Sequence, residues 1–220
     1  MNDQASTASA NLDLAIVGPG FAGLYALREL GYRVHVFEAD DDIGGTWYWN
    51  RYPGARRDIE SMQYSCWWND QLQQDWAWTE RCATQPEILS YIQHVADRFD
   101  LHHGVTLNTR IVSAQFDAGA DRCSLTTDGG QKIIAPLANM ATGVLSAPLV
   151  PDLKGMDDFK GRIYMTSDWP LQGVDFADRR VGVFGTGSPA IQAIPEIAKQ
   201  AGHLHAFQRL ISASPPEISP

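Results

Sequence analysis

Leu14-Ala15-Ile16-Val17-Gly18-Pro19-Gly20-Phe21-Ala22-Gly23-Leu24 runs from a short, continuous apolar stretch into glycines spaced G-x-G-x-x-G. Apolar residues then recur at 21, 24, 27 and 30, a helical period. Val34-His35-Val36-Phe37 reads as a second strand, and Glu38 stands at its end, 20 residues after Gly18. Strand, glycine turn, helix and strand make a βαβ unit. In that setting Gly18 permits the tight turn, Gly20 lets backbone approach a pyrophosphate, Gly23 lets helix and strand pack closely, and the Glu38 carboxylate suits a ribose hydroxyl. The helix, about ten residues and so roughly 15 Å long, is short for a crossover. Pro19 also removes one loop N–H.

The plan returns near the other end. Val181 to Phe184 is a strand, Gly185-Thr186-Gly187-Ser188-Pro189-Ala190 a second glycine turn, and apolar positions at 190, 194, 197 and 201 follow on a helix. Ala in the third place is an accepted variant, and Pro189 fits the first helical turn. After the strand His203 to Phe207 comes Arg209 rather than an acid, which matches a 2′-phosphate and favours NADP over NAD. The expected fold is therefore α/β with two Rossmann-like dinucleotide-binding units.

Between them, Thr46 to Thr84 has little periodicity but holds six of the seven tryptophans, so it reads as long structured loops packed against something large and flat. A helix from Pro86 to about Phe99 follows. Val105 to Leu107, Ile111 to Phe116, Cys123 to Thr127 and Lys132 to Ile134 read as strands. Asp128-Gly129-Gly130 joins the last two, giving the first unit a β-meander. Prolines at 148, 151 and 170 with glycines at 143, 155, 161 and 173 mark the stretch 143–178 as an interdomain linker. The expected divisions are a disordered terminus over 1–11, a first domain over 12–147, a linker over 148–178 and a second, incomplete domain over 179–220.

Composition narrows the function classes. In 220 residues, 44% hydrophobic and 20% charged, 17 basic residues face 26 acidic ones for a net charge of −9. Nucleic acid and anionic membrane surfaces are poor partners for such a chain. Anionic cofactors remain open, because helix N-terminal N–H groups bind phosphate without net positive charge. There is no run of about 18 apolar residues and no secretory leader, so a cytoplasmic protein is expected. Cys66, Cys82 and Cys123 are odd in number and irregularly spaced, which suggests neither zinc nor a redox dithiol.

The run Gly44-Gly45-Thr46-Trp47-Tyr48-Trp49-Asn50-Arg51-Tyr52-Pro53-Gly54-Ala55-Arg56-Arg57-Asp58 resembles the flavin site of the type I Baeyer–Villiger monooxygenases. Phe159-x-Gly161-x-x-x-Met165-x-x-x-Trp169-Pro170 follows that family's fingerprint F-x-G-x-x-x-H-x-x-x-W-P except at the histidine. Ala141-Thr142-Gly143, Gln85-Pro86-Glu87-Ile88-Leu89 and Phe207-Gln208-Arg209 are also similar to family segments, so the resemblance covers about residues 12 to 209. It implies FAD and NADPH as cofactors and a ketone and O₂ as substrates, with an ester or lactone as product. Gly18, Gly20, Phe21, Gly23, Glu38, Gly45, Thr46, Trp47, Tyr48, Trp49, Asp58, Tyr64 and Ile111 would line FAD. Arg56, Arg57, Gly185, Thr186, Gly187, Ser188, Gln192 and Arg209 would approach NADP. Asp58 matches the family's active-site aspartate, whose arginine partner has no counterpart here.

Three departures accompany the resemblance. Family members are considerably longer, which implies a truncated form and leaves the activity of this chain open. Met165 puts a thioether, which neither carries charge nor relays a proton, in place of an imidazole. Asn139 puts an amide where a buried family strand is apolar, at a cost of about 1 to 3 kcal/mol if unpaired. The alternatives are a non-catalytic FAD-binding remnant, an N- or S-oxidising flavin monooxygenase, or a disulfide reductase. A reductase needs a closely spaced cysteine pair, which is absent, and heteroatom oxidisers lack the W-Y-W-N-R-Y-P-G-A-R-x-D run.

Overall fold

A computed structural model describes residues 12–145 and 147–208. The chain is α/β, and it divides by compactness into two units. One comprises the residues up to Tyr48 with Leu89–Ala147, the other Trp49–Ile88 with the residues from Pro148 on.

The first unit is built on β1 (Leu14–Val17), whose residues Leu14, Ala15 and Ile16 are buried. A strand covered on both faces must be apolar throughout rather than alternating, which is why its sequence is a continuous run. β2 (Val34–Phe37), β3 (Val105–Thr106) and β7 (Leu137–Met140) complete a parallel four-stranded sheet in the order β3-β2-β1-β7. On one face Leu14, Ile16 and Val36 pack with Ala26 of helix α1 (Phe21–Glu29). On the other, Ala15 and Phe37 meet Leu125, Ile133 and Ala135. These last come from an antiparallel sheet of β4 (Ile111–Asp117), β5 (Arg122–Thr127) and β6 (Lys132–Ala135), in the order β4-β5-β6.

Strand β7 is not legible from periodicity, because Leu-Ala-Asn-Met has neither alternation nor β-branched residues, and only the resemblance puts a strand at Asn139. Asn139 lies on it in register with Ile16, but β7 is an edge strand and Asn139 is exposed. The expected burial cost of its amide therefore does not arise. The aromatic stretch is not all loop either, since it contains the short helices α2 (Thr46–Trp49) and α3 (Asp70–Asp75) and a 3-10 turn over Ser61–Tyr64. Helix α4 covers Gln85–Arg98, within a residue of expectation.

In the second unit β8 (Arg180–Phe184) pairs in parallel with β9 (His203–Phe207), and α5 (Ser188–Ala198) connects them. Ala193 and Ile197 of α5 share a core with Tyr52, Ala55, Trp169 and Phe176. Residues 148–178, expected to be a linker, contain no helix or strand, yet Trp169 and Phe176 bury their rings in this core. The aromatic rings of Tyr164 and Phe176 flank the Trp169 indole at centroid distances of 5.7 and 6.1 Å. Pro195 sits inside α5 on the exposed side, where its missing N–H leaves one helical bond unmade.

Candidate functional site

The two glycine turns have nearly the same geometry. Gly18 and Gly185 have φ of +102° and +104°, a region closed to residues with a Cβ. Each donates its N–H to the last residue of the neighbouring strand, Gly18 to Phe37 O at 3.0 Å and Gly185 to Phe207 O at 2.9 Å. Gly20 and Gly187 are the N-caps of α1 and α5, both extended and without a side-chain cap. Their carbonyls accept from Leu24 and Ile191, each at 3.0 Å. Uncapped N-terminal N–H groups beside a glycine turn suit a phosphate.

The first turn is the more tightly enclosed. A Cβ on Gly23 would lie 1.9 Å from Gly18 O, so the third glycine is what lets α1 close on the turn. A Cβ on Gly45 would lie 3.0 Å from Gly20 Cα, so backbone alone forms the wall opposite Gly20. At the second turn nothing lies within 4 Å of a Cβ built on Gly185 or Gly187, and the third place holds the buried Ala190.

Glu38 follows β2, half-buried, with its Oε1 accepting from Asp40 N at 3.0 Å. Burial pushes its carboxyl up to about 7, with the nearby Asp40 carboxylate adding to the rise. A hydroxyl donor would favour the charged form. Trp47 is buried on α2, the Tyr48 hydroxyl donates to Asp41 Oδ1, and Phe21 opens α1 with its ring 6.2 Å from that of Tyr91. Thr46 lies at the start of α2, and Ile111 starts β4 and packs against the core under the sheet.

In the second unit the decisive contact is that of Gln192 with the 52–58 loop. Gln192 Nε2 donates to Asp58 Oδ1 at 2.7 Å and to Arg56 O at 2.9 Å. Its Oε1 accepts from Tyr52 Oη at 2.9 Å and Arg56 N at 3.1 Å. Two donors and two acceptor sites are thereby used, the full capacity of an amide. Asp58 Oδ2 accepts from the Ser188 hydroxyl at the start of α5. Gly54 (φ +75°) completes the joint, since a Cβ there would lie 2.3 Å from Gln192 O. Burial, then the Asp58 charge, pushes the Tyr52 phenol up to about 12, so it is a donor at neutral pH.

The adjacent arginines separate. Arg56 reaches outward to Glu80 at 3.2 Å. Arg57 is buried, its Nη1 donating to Ser61 O at 3.2 Å and its guanidinium carbon 3.5 Å from the Tyr64 ring centre. Its Nε and Nη2 have no hydrogen-bond partner among the described residues. Burial shifts it down, with the Tyr64 and Cys82 side chains opposing. Met165, at the fingerprint's histidine position, is half-buried and bridges Asp168 in the turn before Trp169. Trp49 closes α2, Thr186 is half-buried within the second turn, and Arg209 lies outside the described residues.

Tyr52 and Ser61 were not identified from the sequence. Ser61 Oγ donates to Glu80 O and accepts from Ala83 N, each at 2.8 Å, which ties the 57–61 and 80–84 segments together. Tyr52 stands in the 44–58 run without an assigned role and Ser61 in no motif, because their partners lie 19 to 140 positions away.

Among known proteins, the family described as NAD(P)-binding Rossmann-like domain matches residues 16–74. A Baeyer-Villiger monooxygenase of Pseudooceanicola batsensis is 41% identical over 94% of this chain and 38% of its own length. The phenazine N-monooxygenase PhzNO1 of Lysobacter antibioticus is 42% identical over 90% of this chain and 37% of its own. A crystal structure of OTEMO in complex with FAD and NADP superposes with a TM-score of 0.84 at 40% identity, covering 90% of this chain and 39% of that one. The chain thus spans less than two-fifths of the length of these relatives.

Proposed function

We propose that this chain, a relative of the Baeyer–Villiger monooxygenases over the part of their length that it matches, carries the FAD- and NADPH-binding machinery of a monooxygenase that acts on ketones. The supporting observation is the pair of glycine turns with the same geometry, one followed by Glu38 and the other joined to Asp58 through Ser188 and Gln192. In this reading residues 12–147 hold FAD, 148–178 connect, and those from 179 hold NADPH as a second Rossmann-like unit. The overall reaction takes ketone, O₂, NADPH and a proton to ester or lactone, NADP⁺ and water.

Flavin held here would supply the redox chemistry between the nicotinamide and O₂. The chain's own residues bind and orient. Gly18, Gly20 and the α1 N-terminus accommodate the FAD pyrophosphate, and Glu38, once ionised, accepts from the ribose. Gly185 to Ser188 and the α5 N-terminus do the same for NADPH, with Arg209 on its 2′-phosphate. Asp58 presents a carboxylate whose orientation is fixed from two sides, which suits it to hold a cationic group at the reacting centre.

The test is cofactor binding by the purified chain. It should retain or take up FAD with quenching of flavin fluorescence, and bind NADP⁺ more tightly than NAD⁺. Failure to take up FAD would overturn the reading. The likeness to PhzNO1 favours a second reading, oxidation of a ring nitrogen. NADPH oxidation that rises with a phenazine and not with ketones, measured on a form that turns over, would select it.

A further inference from the structure

We propose that His203 and His205 form a two-imidazole chelate for a divalent transition metal that prefers ligands at right angles, Cu²⁺ before Ni²⁺. The two residues alternate along β9, so both rings stand on the same face of the strand, and both are exposed. Their Nε2 atoms lie 2.9 Å apart, with the ring centroids at 4.3 Å and the planes inclined by 65°. Without a metal this is a hydrogen bond in which one Nε2–H donates to the other ring's lone pair.

That spacing is also a metal bite. With metal–nitrogen bonds of about 2.0 to 2.1 Å, two ligands at a right angle sit about 2.9 Å apart, whereas tetrahedral ligands sit about 3.3 Å apart. The observed separation matches the first arrangement, that of tetragonal Cu²⁺ and Ni²⁺, rather than the tetrahedral Zn²⁺ site. Binding requires the donating ring to move its proton from Nε2 to Nδ1, with no net proton lost. A rotation of each ring then turns the two Nε2 lone pairs from one another toward a shared point, and water fills the remaining positions.

Water reaches the bite from the solvent side, where both histidines are exposed. On the neighbouring strand Gly182 is in register with His205, and the rings of Phe207 and Phe184, stacked at 4.7 Å, lie over it, 3.2 and 3.8 Å from where a Cβ would stand. Arg180 is in register with His203, so a cation stands beside the bite and weakens the attraction for a metal. The charged neighbour gives the proposal a second handle.

The experiment titrates the full chain with Cu²⁺, Ni²⁺ and Zn²⁺ salts in a non-coordinating buffer, followed by calorimetry and, for Cu²⁺, electron paramagnetic resonance. One equivalent of Cu²⁺ bound more tightly than Zn²⁺, with hyperfine coupling from two nitrogens, is expected. His203→Ala and His205→Ala, both at exposed positions, should each weaken Cu²⁺ by roughly tenfold or more. Arg180→Ala should tighten it by roughly twofold or more at low salt. His102→Ala, on another element, should change nothing. Cu²⁺ affinity unchanged in the His203→Ala/His205→Ala double variant would overturn the proposal, as would a preference for Zn²⁺.

Discussion

Gln192 and Asp58, 134 residues apart, are joined by a 2.7 Å hydrogen bond that ties helix α5 to the loop after Tyr52. Because the Gln192 amide also serves Tyr52 Oη and both backbone groups of Arg56, its side chain has no hydrogen-bonding capacity left for a nucleotide. In this arrangement it positions Asp58 and the loop. Gln192→Leu should cost roughly 1 to 3 kcal/mol, because the loop's donors and acceptors lose their partner. Tyr52→Phe should cost about 1 kcal/mol in the native chain and almost nothing after Gln192→Leu. Urea midpoints of the two single variants and the double variant measure this. Full additivity would show that the amide does not bind the loop as described.

Glu38 sets a pH dependence whose sign is fixed by its raised carboxyl. Between its ordinary 4.5 and about 7 the folded chain holds a proton there that the unfolded chain has released. Stability from this group is thus fully present below the lower value, declines as pH rises through the window and is level above about 7. Binding a ribose runs the other way. It needs the carboxylate, so FAD affinity should rise with pH up to about 7, by at most about tenfold per pH unit, and then level off. Glu38→Gln should flatten both profiles. Chemical denaturation and flavin fluorescence between pH 5 and 8 read them out, and an FAD affinity independent of pH in the native chain would remove Glu38 from the ribose.

Gly23 tests the packing of the first turn. A Cβ there would sit 1.9 Å from the Gly18 carbonyl oxygen, part of a backbone that cannot move without opening the turn. Gly23→Ala should destabilise the first unit by about 3 kcal/mol or more, well above the ordinary helical gain from Ala. Gly187→Ala, where the built Cβ meets nothing within 4 Å, should leave stability within about 0.5 kcal/mol. Equal losses in the two variants, by thermal melting, would contradict the difference in packing.

What the sequence reveals here follows from range. β1, α1, β2 and both glycine turns are legible because turn chemistry and periodicity are local, and the turns fold as their residue types dictate. β7 is legible at Asn139 only by resemblance and not from local pattern, because Leu137 to Met140 become a strand by pairing with β1, 123 positions earlier at Leu14. The role of Trp169 in a core is hidden in the same way, since a proline- and glycine-rich stretch reads as a linker until Tyr52 and Ile197 are known to meet it. Gln192 is legible as a site residue by resemblance, but its four hydrogen bonds to Tyr52, Arg56 and Asp58 are not. The divergence of Arg56 and Arg57, adjacent in sequence, depends on Glu80 and Tyr64, which no spacing connects to them.

Arg57 is a buried cation with one hydrogen bond, one aromatic face and two nitrogens without partners among the described residues. The bond to Ser61 O is charge-assisted and worth about 1.5 to 3 kcal/mol. The desolvated contact with Tyr64 adds about 2 kcal/mol, and the two orphaned nitrogens cost roughly 1 to 3 kcal/mol each. These contributions nearly cancel. Arg57→Met, which keeps the volume and removes the charge, should therefore change stability by no more than about 1 kcal/mol. Tyr64→Leu should cost about 2 kcal/mol more in the native chain than in the Arg57→Met background, the difference being the cation–π term. Denaturant midpoints for this pair close the cycle. A loss of 3 to 5 kcal/mol for Arg57→Met alone, the range for breaking a satisfied buried ion pair, would mean that the two nitrogens are paired in solution.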